Sequence, residues 1–113
     1  MAALTATTPT NTGTATTGAA VAVSDTIVRS VMGPKGAYLE IVNGGASVDN
    51  VTLSDSGATP AGNQLTNNRI SGSVTNGTSK IFFIRQEQVD PATNLVTVTH
   101  DFITTVTYKL YPV

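Results

Sequence analysis

The sequence predicts an all-β protein, an antiparallel β-sandwich or small barrel of about seven to eight short strands with an extended N-terminal arm. Apolar and polar residues alternate in several stretches, as in strands that bury one face. Turn signals rich in Gly, Asn and Pro recur about every eight to twelve residues. No stretch has the 3.6-residue periodicity of an amphipathic helix. Threonine, which strands favour, would supply outward faces without charge.

The N-terminal stretch has a different composition from the remainder. Residues 1–18 are mostly threonine and alanine and carry no charge. So little bulky apolar surface does not offset the entropy cost of ordering the chain. We therefore expect a flexible arm over residues 1–18 and a single β-sandwich domain over residues 19–113. The alternative to a free tail is an arm that becomes ordered on a partner by strand addition or surface draping.

The first half of the domain predicts three or four strands and a long loop. Residues 19–32 fit one bent strand or two short ones, and a helix from Asp25 is the alternative. Residues 37–53 predict a hairpin whose strands are joined by Asn-Gly-Gly, because Asn and Gly adopt positive φ at low cost. Residues 54–68 are rich in turn formers and predict a long loop, either a binding loop or a plain connection.

The second half predicts four more strands and a second hairpin. Residues 69–74 form a weak strand, and the Asn-Gly that follows it predicts a tight hairpin. Residues 80–86 are the most apolar strand, with Ile81 and Phe83 on one face and Phe82 and Ile84 on the other. Both faces therefore need cover, from a second sheet or loop or from another protein.

The C-terminal strands contain the only histidine. Residues 95–100 alternate, and residues 102–111 form the last strand. His100 ends its strand beside Asp101, a neighbour able to hydrogen-bond to it. Without a nucleophile on a Gly-flanked turn, this pair predicts a structural polar contact and not a catalytic one.

The composition argues against nucleic-acid binding, membrane insertion, catalysis and metal binding. Charged residues make up 12% of the chain, the net charge is −1, and the six basic residues are scattered, so we expect neither nucleic-acid nor membrane binding. The first basic residue is Arg29, and no apolar run reaches the roughly 18 residues of a membrane span or resembles a signal peptide. Without cysteine and with one histidine, no thiolate or His-built site forms within one chain. We expect no enzyme activity, cofactor or metal; a calcium site from Asp49, Asn50 and Asp55 is a weak alternative, since the spacing is not that of an EF-hand.

Four stretches, in order, resemble a known family. They are residues 1–13, 22–28, 36–63 and 89–113, which together cover most of the chain. In these strand-and-turn patterns the chain resembles a family of small virion proteins of tailed phages, chiefly those infecting actinobacteria. The resemblance implies a head decoration or minor capsid protein that binds the outside of the major capsid shell and reinforces it.

The resemblance implies a location on the capsid surface of the virion, the major capsid protein as partner, and self-association on the capsid lattice. The predicted contact residues lie in the arm, in the apolar strand and in the long loop: Leu4, Thr5, Thr7, Thr8, Pro9, Thr10, Thr12, Pro60, Phe82 and Ile84. Two alternatives fit the same composition. One is a phage tail or head–tail connector component, and the other is a carbohydrate-binding or adhesive β-sandwich module.

Overall fold

The protein is all-β, a small sandwich of two sheets. The computed structural model describes residues 2–14, 18–54, 69–90 and 92–113. Within these residues the strands are β1 Ala2–Ala3, β2 Ala19–Ala20, β3 Ser24–Val28, β4 Gly36–Asn43, β5 Asp49–Ser54, β6 Arg69–Val74, β7 Thr78–Arg85, β8 Leu95–Thr99 and β9 Val106–Pro112. Single 3-10 turns follow β3 and β7, at Arg29–Val31 and Gln86–Gln88.

The strands form a five-stranded sheet in the order β1-β3-β8-β5-β6 and a four-stranded sheet in the order β2-β9-β4-β7. Pairing is antiparallel except for the two-residue β1, which lies parallel to β3. The predicted fold class is therefore confirmed as a β-sandwich. Residues 19–32 supply two short strands, as one version of the prediction had it, and a 3-10 turn replaces the alternative helix.

The core lies between the sheets and is aliphatic. Alternate residues of β4 point inward, so Leu39 and Ile41 are fully buried. They face the buried side chains of the other sheet, among them Val51, Leu53 and Val98. Each such side chain contributes about 1.5–3 kcal/mol when removed from water, so this layer supplies most of the driving force for folding.

Both predicted hairpins are wrong in the same way. β4 and β5, expected to pair, lie in different sheets, and so do β6 and β7 on either side of the Asn76-Gly77 turn. β4 pairs instead with β7 over Gly36–Asn43 and with β9 on its other edge, which leaves no edge for β5. The two turns therefore carry the chain from one sheet to the other across the end of the sandwich.

Asn43 holds the two crossings together. Its side chain is buried and its amide nitrogen donates to the carbonyl oxygens of Ser47 and Val74, at 2.7 and 3.0 Å. Its side-chain oxygen accepts from the N–H of Gly45, and its backbone carbonyl accepts from the N–H of Gly77. Because a buried amide is costly without partners, this residue favours an arch between sheets over a hairpin within one sheet.

Part of the N-terminal segment lies against the sandwich. The N–H of Leu4 donates to Thr26 of β3, and the N–H of Thr7 donates to Leu110 of β9, so the segment spans from one sheet to the other. Leu4 is 4% exposed and belongs to the core. The expectation of a free arm therefore fails for this stretch, because Leu4 is its one large aliphatic side chain in a described position and finds a place between the sheets. The domain boundary at residue 18 stays a prediction.

Candidate binding surface

The residues predicted to contact a partner in the N-terminal segment fall into two groups. Leu4 is buried, and Thr5 and Thr7 donate backbone N–H groups to the sandwich, Thr5 to the hydroxyl of Tyr108 at 3.1 Å. The remaining four are exposed: Thr8, Pro9, Thr10 and Thr12. Thr5 is exposed as well, with its hydroxyl 3.4 Å from that of Tyr108, so its side chain is also accessible to a partner in this conformation.

The prediction for the apolar strand β7 chose the wrong face. Ile84 is fully buried, and Phe82 is half-buried, packed against the core beside Gly72. Their neighbours Ile81 and Phe83 are 61% and 48% exposed. Ile84 is thus out of reach of a partner, and the large apolar side chains that β7 offers to solvent are Ile81 and Phe83. Pro60 lies outside the described residues.

The outward side chains of three neighbouring strands form a surface that we call the aromatic face, made of Tyr38, Ile81, Phe83 and Tyr111. In the register of the four-stranded sheet, Tyr38 of β4 lies between Phe83 of β7 and Tyr111 of β9. The rings of Tyr38 and Phe83 have centroids 5.5 Å apart at 50°. Side chains at paired positions in adjacent strands point to the same side, so these rings form one row across the sheet.

The next row beneath the rings combines an apolar and an ionic contact. Ile81, Glu40 and Lys109 occupy paired positions on β7, β4 and β9. Glu40 Oε1 and Lys109 Nζ are 4.0 Å apart, and both side chains are about one quarter exposed. A surface pair of this kind contributes little to stability. It balances the charge in the middle of the face, and Arg85 at the end of β7 lies 3.9 Å from Glu87, so the face is mainly apolar.

The opposite surface of the sandwich has different chemistry. The outward side chains of the five-stranded sheet are mainly hydroxyls and amides, and we call them the hydroxyl face: Asn50, Thr52, Ser71, Ser73, Thr97 and Thr99. They carry no charge and present no aromatic ring. The prediction that threonine supplies uncharged outward faces is confirmed for this sheet, whereas the four-stranded sheet has exposed rings.

His100 forms a buried contact with an unexpected residue. Its Nδ1 lies 2.6 Å from Asp49 Oδ2, and neither side chain is exposed. Asp49 Oδ1 also accepts from the backbone N–H groups of Asp101 and Phe102. The predicted partner, Asp101, instead lies on the surface and bonds to Asn50. The expectation of a structural polar contact stands, but with a different carboxylate.

The Asp49–His100 pair joins the start of β5 to the end of β8 and is closed to solvent. His100 Nε2 has no hydrogen-bond partner within the described residues, and neither has Gln88 Nε2. A molecule in solution reaches neither ring nitrogen in this conformation. The pair therefore serves as a cross-link between strands and offers no surface for a ligand.

Asp101 and Asn50 form the corresponding exposed contact. The backbone N–H of Asn50 donates to Asp101 Oδ1 at 2.8 Å, and its side-chain amide donates to Oδ2 at 2.7 Å. These hydrogen bonds to the ionised carboxylate lower the pKa of Asp101 below its ordinary value of 3.8. Asp49 and Asn50 point to opposite faces of β5, so they do not form the weak calcium alternative, whose third member Asp55 lies outside the described residues.

Two further results concern the described part of the chain. No three of its His, Cys, Asp or Glu side chains cluster closely enough to hold a metal ion. None of its helices has the length and apolar character needed to cross a membrane.

Comparisons with protein-family models, with curated proteins and with solved structures find no match to this chain.

Proposed function

We propose that the protein is a non-enzymatic virion structural protein, a decoration or cementing protein that binds the outside of a phage capsid shell and stabilises it. The partner is the major capsid protein, and the location is the capsid surface. Two lines of support converge on this proposal. The first is the resemblance of the strand and turn sequences to small virion proteins of tailed phages. The second is the distribution of apolar and polar groups over the two surfaces of the sandwich.

The observation that carries the proposal is the aromatic face. Tyr38, Phe83 and Ile81 are 45%, 48% and 61% exposed on the flat outer side of one sheet. Exposed apolar groups that cluster in this way are typical of a surface that another protein covers. Aromatic side chains also dominate the energetics of protein interfaces. The aromatic face is accordingly the contact surface of the proposal, in place of Phe82 and Ile84.

The hydroxyl face suits the outward side of a decorated particle. Its hydroxyl and amide side chains hydrogen-bond readily to water, and the carboxylate of Asp101 is bonded to Asn50, so the face has little electrostatic attraction for other macromolecules. In this arrangement the protein lies flat, with the four-stranded sheet against the shell. The exposed residues Thr8, Pro9, Thr10 and Thr12 remain secondary candidates for contact with the lattice.

The test is co-sedimentation with purified undecorated capsids. We expect the wild-type protein to sediment with the shells and the double variant Tyr38→Ser/Phe83→Ser to bind at least about tenfold more weakly. The matched control is Thr97→Ser/Thr99→Ser on the hydroxyl face, which should bind like wild type. The triple variant Thr8→Ala/Thr10→Ala/Thr12→Ala measures the contribution of the N-terminal segment to binding and leaves Leu4 in the core.

Binding by no form of the protein would refute the decoration proposal. Wild-type affinity in the aromatic variant, with loss in the control, would place the contact on the other sheet. Electron microscopy of virions then separates a capsid location from a tail or head–tail connector location, the alternative within the same class of function.

The aromatic face also supports a second candidate, a carbohydrate-binding module. Sugar rings stack on exposed aromatic side chains, and Tyr38, Phe83 and Tyr111 form a row on one sheet. A glycan array distinguishes the two functions. Binding to a defined glycan that the Tyr38→Ser/Phe83→Ser variant loses would favour the module, and an array without signal would eliminate it.

A further inference from the structure

We propose that β7 pairs edge to edge with the β7 strand of a second copy of the chain, in antiparallel orientation around a twofold axis at Ile81. β7 is the last strand of the four-stranded sheet, and among the described residues it pairs only with β4. A long edge strand with exposed apolar side chains is a template for pairing with another strand. This proposal concerns the protein alone and does not depend on the capsid proposal.

The hydrogen bonds at the C-terminal end of β7 show which backbone groups of this strand point away from β4, toward the free edge of the sheet. The N–H of Arg85 donates to the side chain of Gln88 at 3.0 Å, and the carbonyl of Gly36, its paired residue on β4, accepts from Val113 on the opposite edge of β4. In an antiparallel pair, residues that bond to the partner strand alternate with residues whose N–H and C=O point away from it. The backbone groups of Ser79, Ile81 and Phe83 therefore point to the free edge, and Gln88 closes that edge at Arg85.

The open stretch is self-complementary in one register. With Ile81 opposite Ile81 of the second copy, Ser79 lies opposite Phe83 of that copy, and the three residues of each strand form about six hydrogen bonds. A shift that centres the axis on Phe82 requires the Arg85 N–H, which Gln88 already engages. A shift that centres it on Lys80 brings two ammonium groups opposite each other, which is repulsive. Hydrogen bonding and charge thus favour the axis at Ile81.

The same register covers Ile81, the most exposed large apolar side chain among the described residues. Ile81 and Phe83 point to the outer side of the sheet, and pairing places Ile81 against its counterpart with a Phe83 ring on each flank. The two four-stranded sheets then become one continuous sheet, and the two aromatic faces lie on the same side of it. The second copy is favoured as occupant because both strands supply the same open length.

Sedimentation analysis over a range of protein concentrations tests the association. A contact of about five residues per copy is small, so we expect a monomer–dimer equilibrium in the micromolar range or above. Ile81→Pro removes the donors on the axis, and Ile81→Lys places like charges across it. Each should weaken dimerisation at least about tenfold, as the loss of two hydrogen bonds predicts. Thr97→Ser, which lies on the opposite sheet, should dimerise like wild type.

Disulfide trapping tests the register, because the chain has no cysteine of its own. Ile81→Cys brings two thiols together at a Cα separation of about 5.5 Å, within the range of a disulfide, so mild oxidation should give a covalent dimer. Ser79→Cys alone should not cross-link, since its counterpart lies four residues away along the strand. Combining Ser79→Cys with Phe83→Cys should restore the cross-link.

Three results would overturn the proposal: a wild-type protein that stays monomeric up to about millimolar concentration, dimers that Ile81→Pro and Ile81→Lys leave intact, or equal cross-linking by Ser79→Cys and Ile81→Cys. Circular dichroism of each variant establishes that the fold is retained, and the trapping experiment stands even if Ile81→Pro fails to fold. Because no capsid is present, failure here leaves the decoration proposal untouched, and failure of capsid binding leaves this one untouched.

Discussion

Replacing Asn43 with alanine should cost the protein about 3 kcal/mol of unfolding free energy. The change removes three side-chain hydrogen bonds, two donated to Ser47 and Val74 and one accepted from Gly45. The bond to Val74 is buried, so losing it costs about 1–3 kcal/mol, whereas the other two partner groups recover water at roughly 0.5–1 kcal/mol each. The loss is a large fraction of the 5–15 kcal/mol typical of a domain.

Equilibrium unfolding in urea measures this effect, with the melting temperature as a second readout. For a chain of 113 residues, a loss of 3 kcal/mol corresponds to a drop of about 10 °C. Asn50→Ala is the matched control, because Asn50 is an exposed residue of the neighbouring strand with side-chain hydrogen bonds of its own. It should lose less than about 1 kcal/mol. Equal losses in the two variants would refute the role given to Asn43 as the buried tie between the sheet crossings.

Three other predictions concern stability. Gly36→Ala should destabilise by more than about 3 kcal/mol in thermal melts, because the residue has φ +124° and its new Cβ would clash with a β7 carbonyl; Gly77→Ala, with φ +79° and open space, should lose only about 1 kcal/mol. Asp49→Ala should cost about 3–5 kcal/mol in urea, since it strips His100 of its buried partner; a loss below 1 kcal/mol would contradict this. Asp101 has a pKa lower in the folded protein than in the unfolded chain, so its stabilising effect is present at neutral pH and disappears as the pH falls below about 4. Melting temperatures should therefore fall less between pH 7 and pH 2 in Asp101→Asn than in wild type, and equal falls would count against the hydrogen-bonded carboxylate.

The sequence predicts burial better than it predicts strand pairing. Alternation places Leu39 and Ile41 in the core because a strand exposes every second side chain to the same face. Alternation does not indicate which strand pairs with each edge of a given strand. An Asn-Gly turn permits a hairpin, and the same short turn also serves a crossing between sheets. The choice depends on the buried hydrogen bond from Asn43 to Val74, a residue 31 positions away in the sequence.

The face of β7 is ambiguous in the sequence for a specific reason. Four apolar residues follow one another, and the charged residues at the two ends disagree. Lys80 has the parity of Ile84, whereas Arg85 has the parity of Ile81, so each end favours a different outward face. The register with Tyr38 resolves the ambiguity, but only the folded sheet shows that register.

Two features of the sequence mark contacts that the folded chain makes. Leu4 is the only leucine, isoleucine, valine or aromatic residue among residues 1–18, which marks it as the point where the segment contacts the core. Asp49 stands at an inward position where an alternating strand begins. A carboxylate at such a position is typical of a buried partner for a polar group elsewhere in the chain. The link from Asp49 to His100 spans 51 residues, a distance that local patterns do not predict.

Electron cryomicroscopy of undecorated capsids mixed with the protein tests most directly whether the aromatic face binds the shell. The proposal predicts added density on the outside of the capsid, with Tyr38 and Phe83 turned toward the major capsid protein and the hydroxyl face turned toward solvent. Density in which Thr97 and Thr99 contact the shell, or capsids that remain bare at saturating protein, would contradict it.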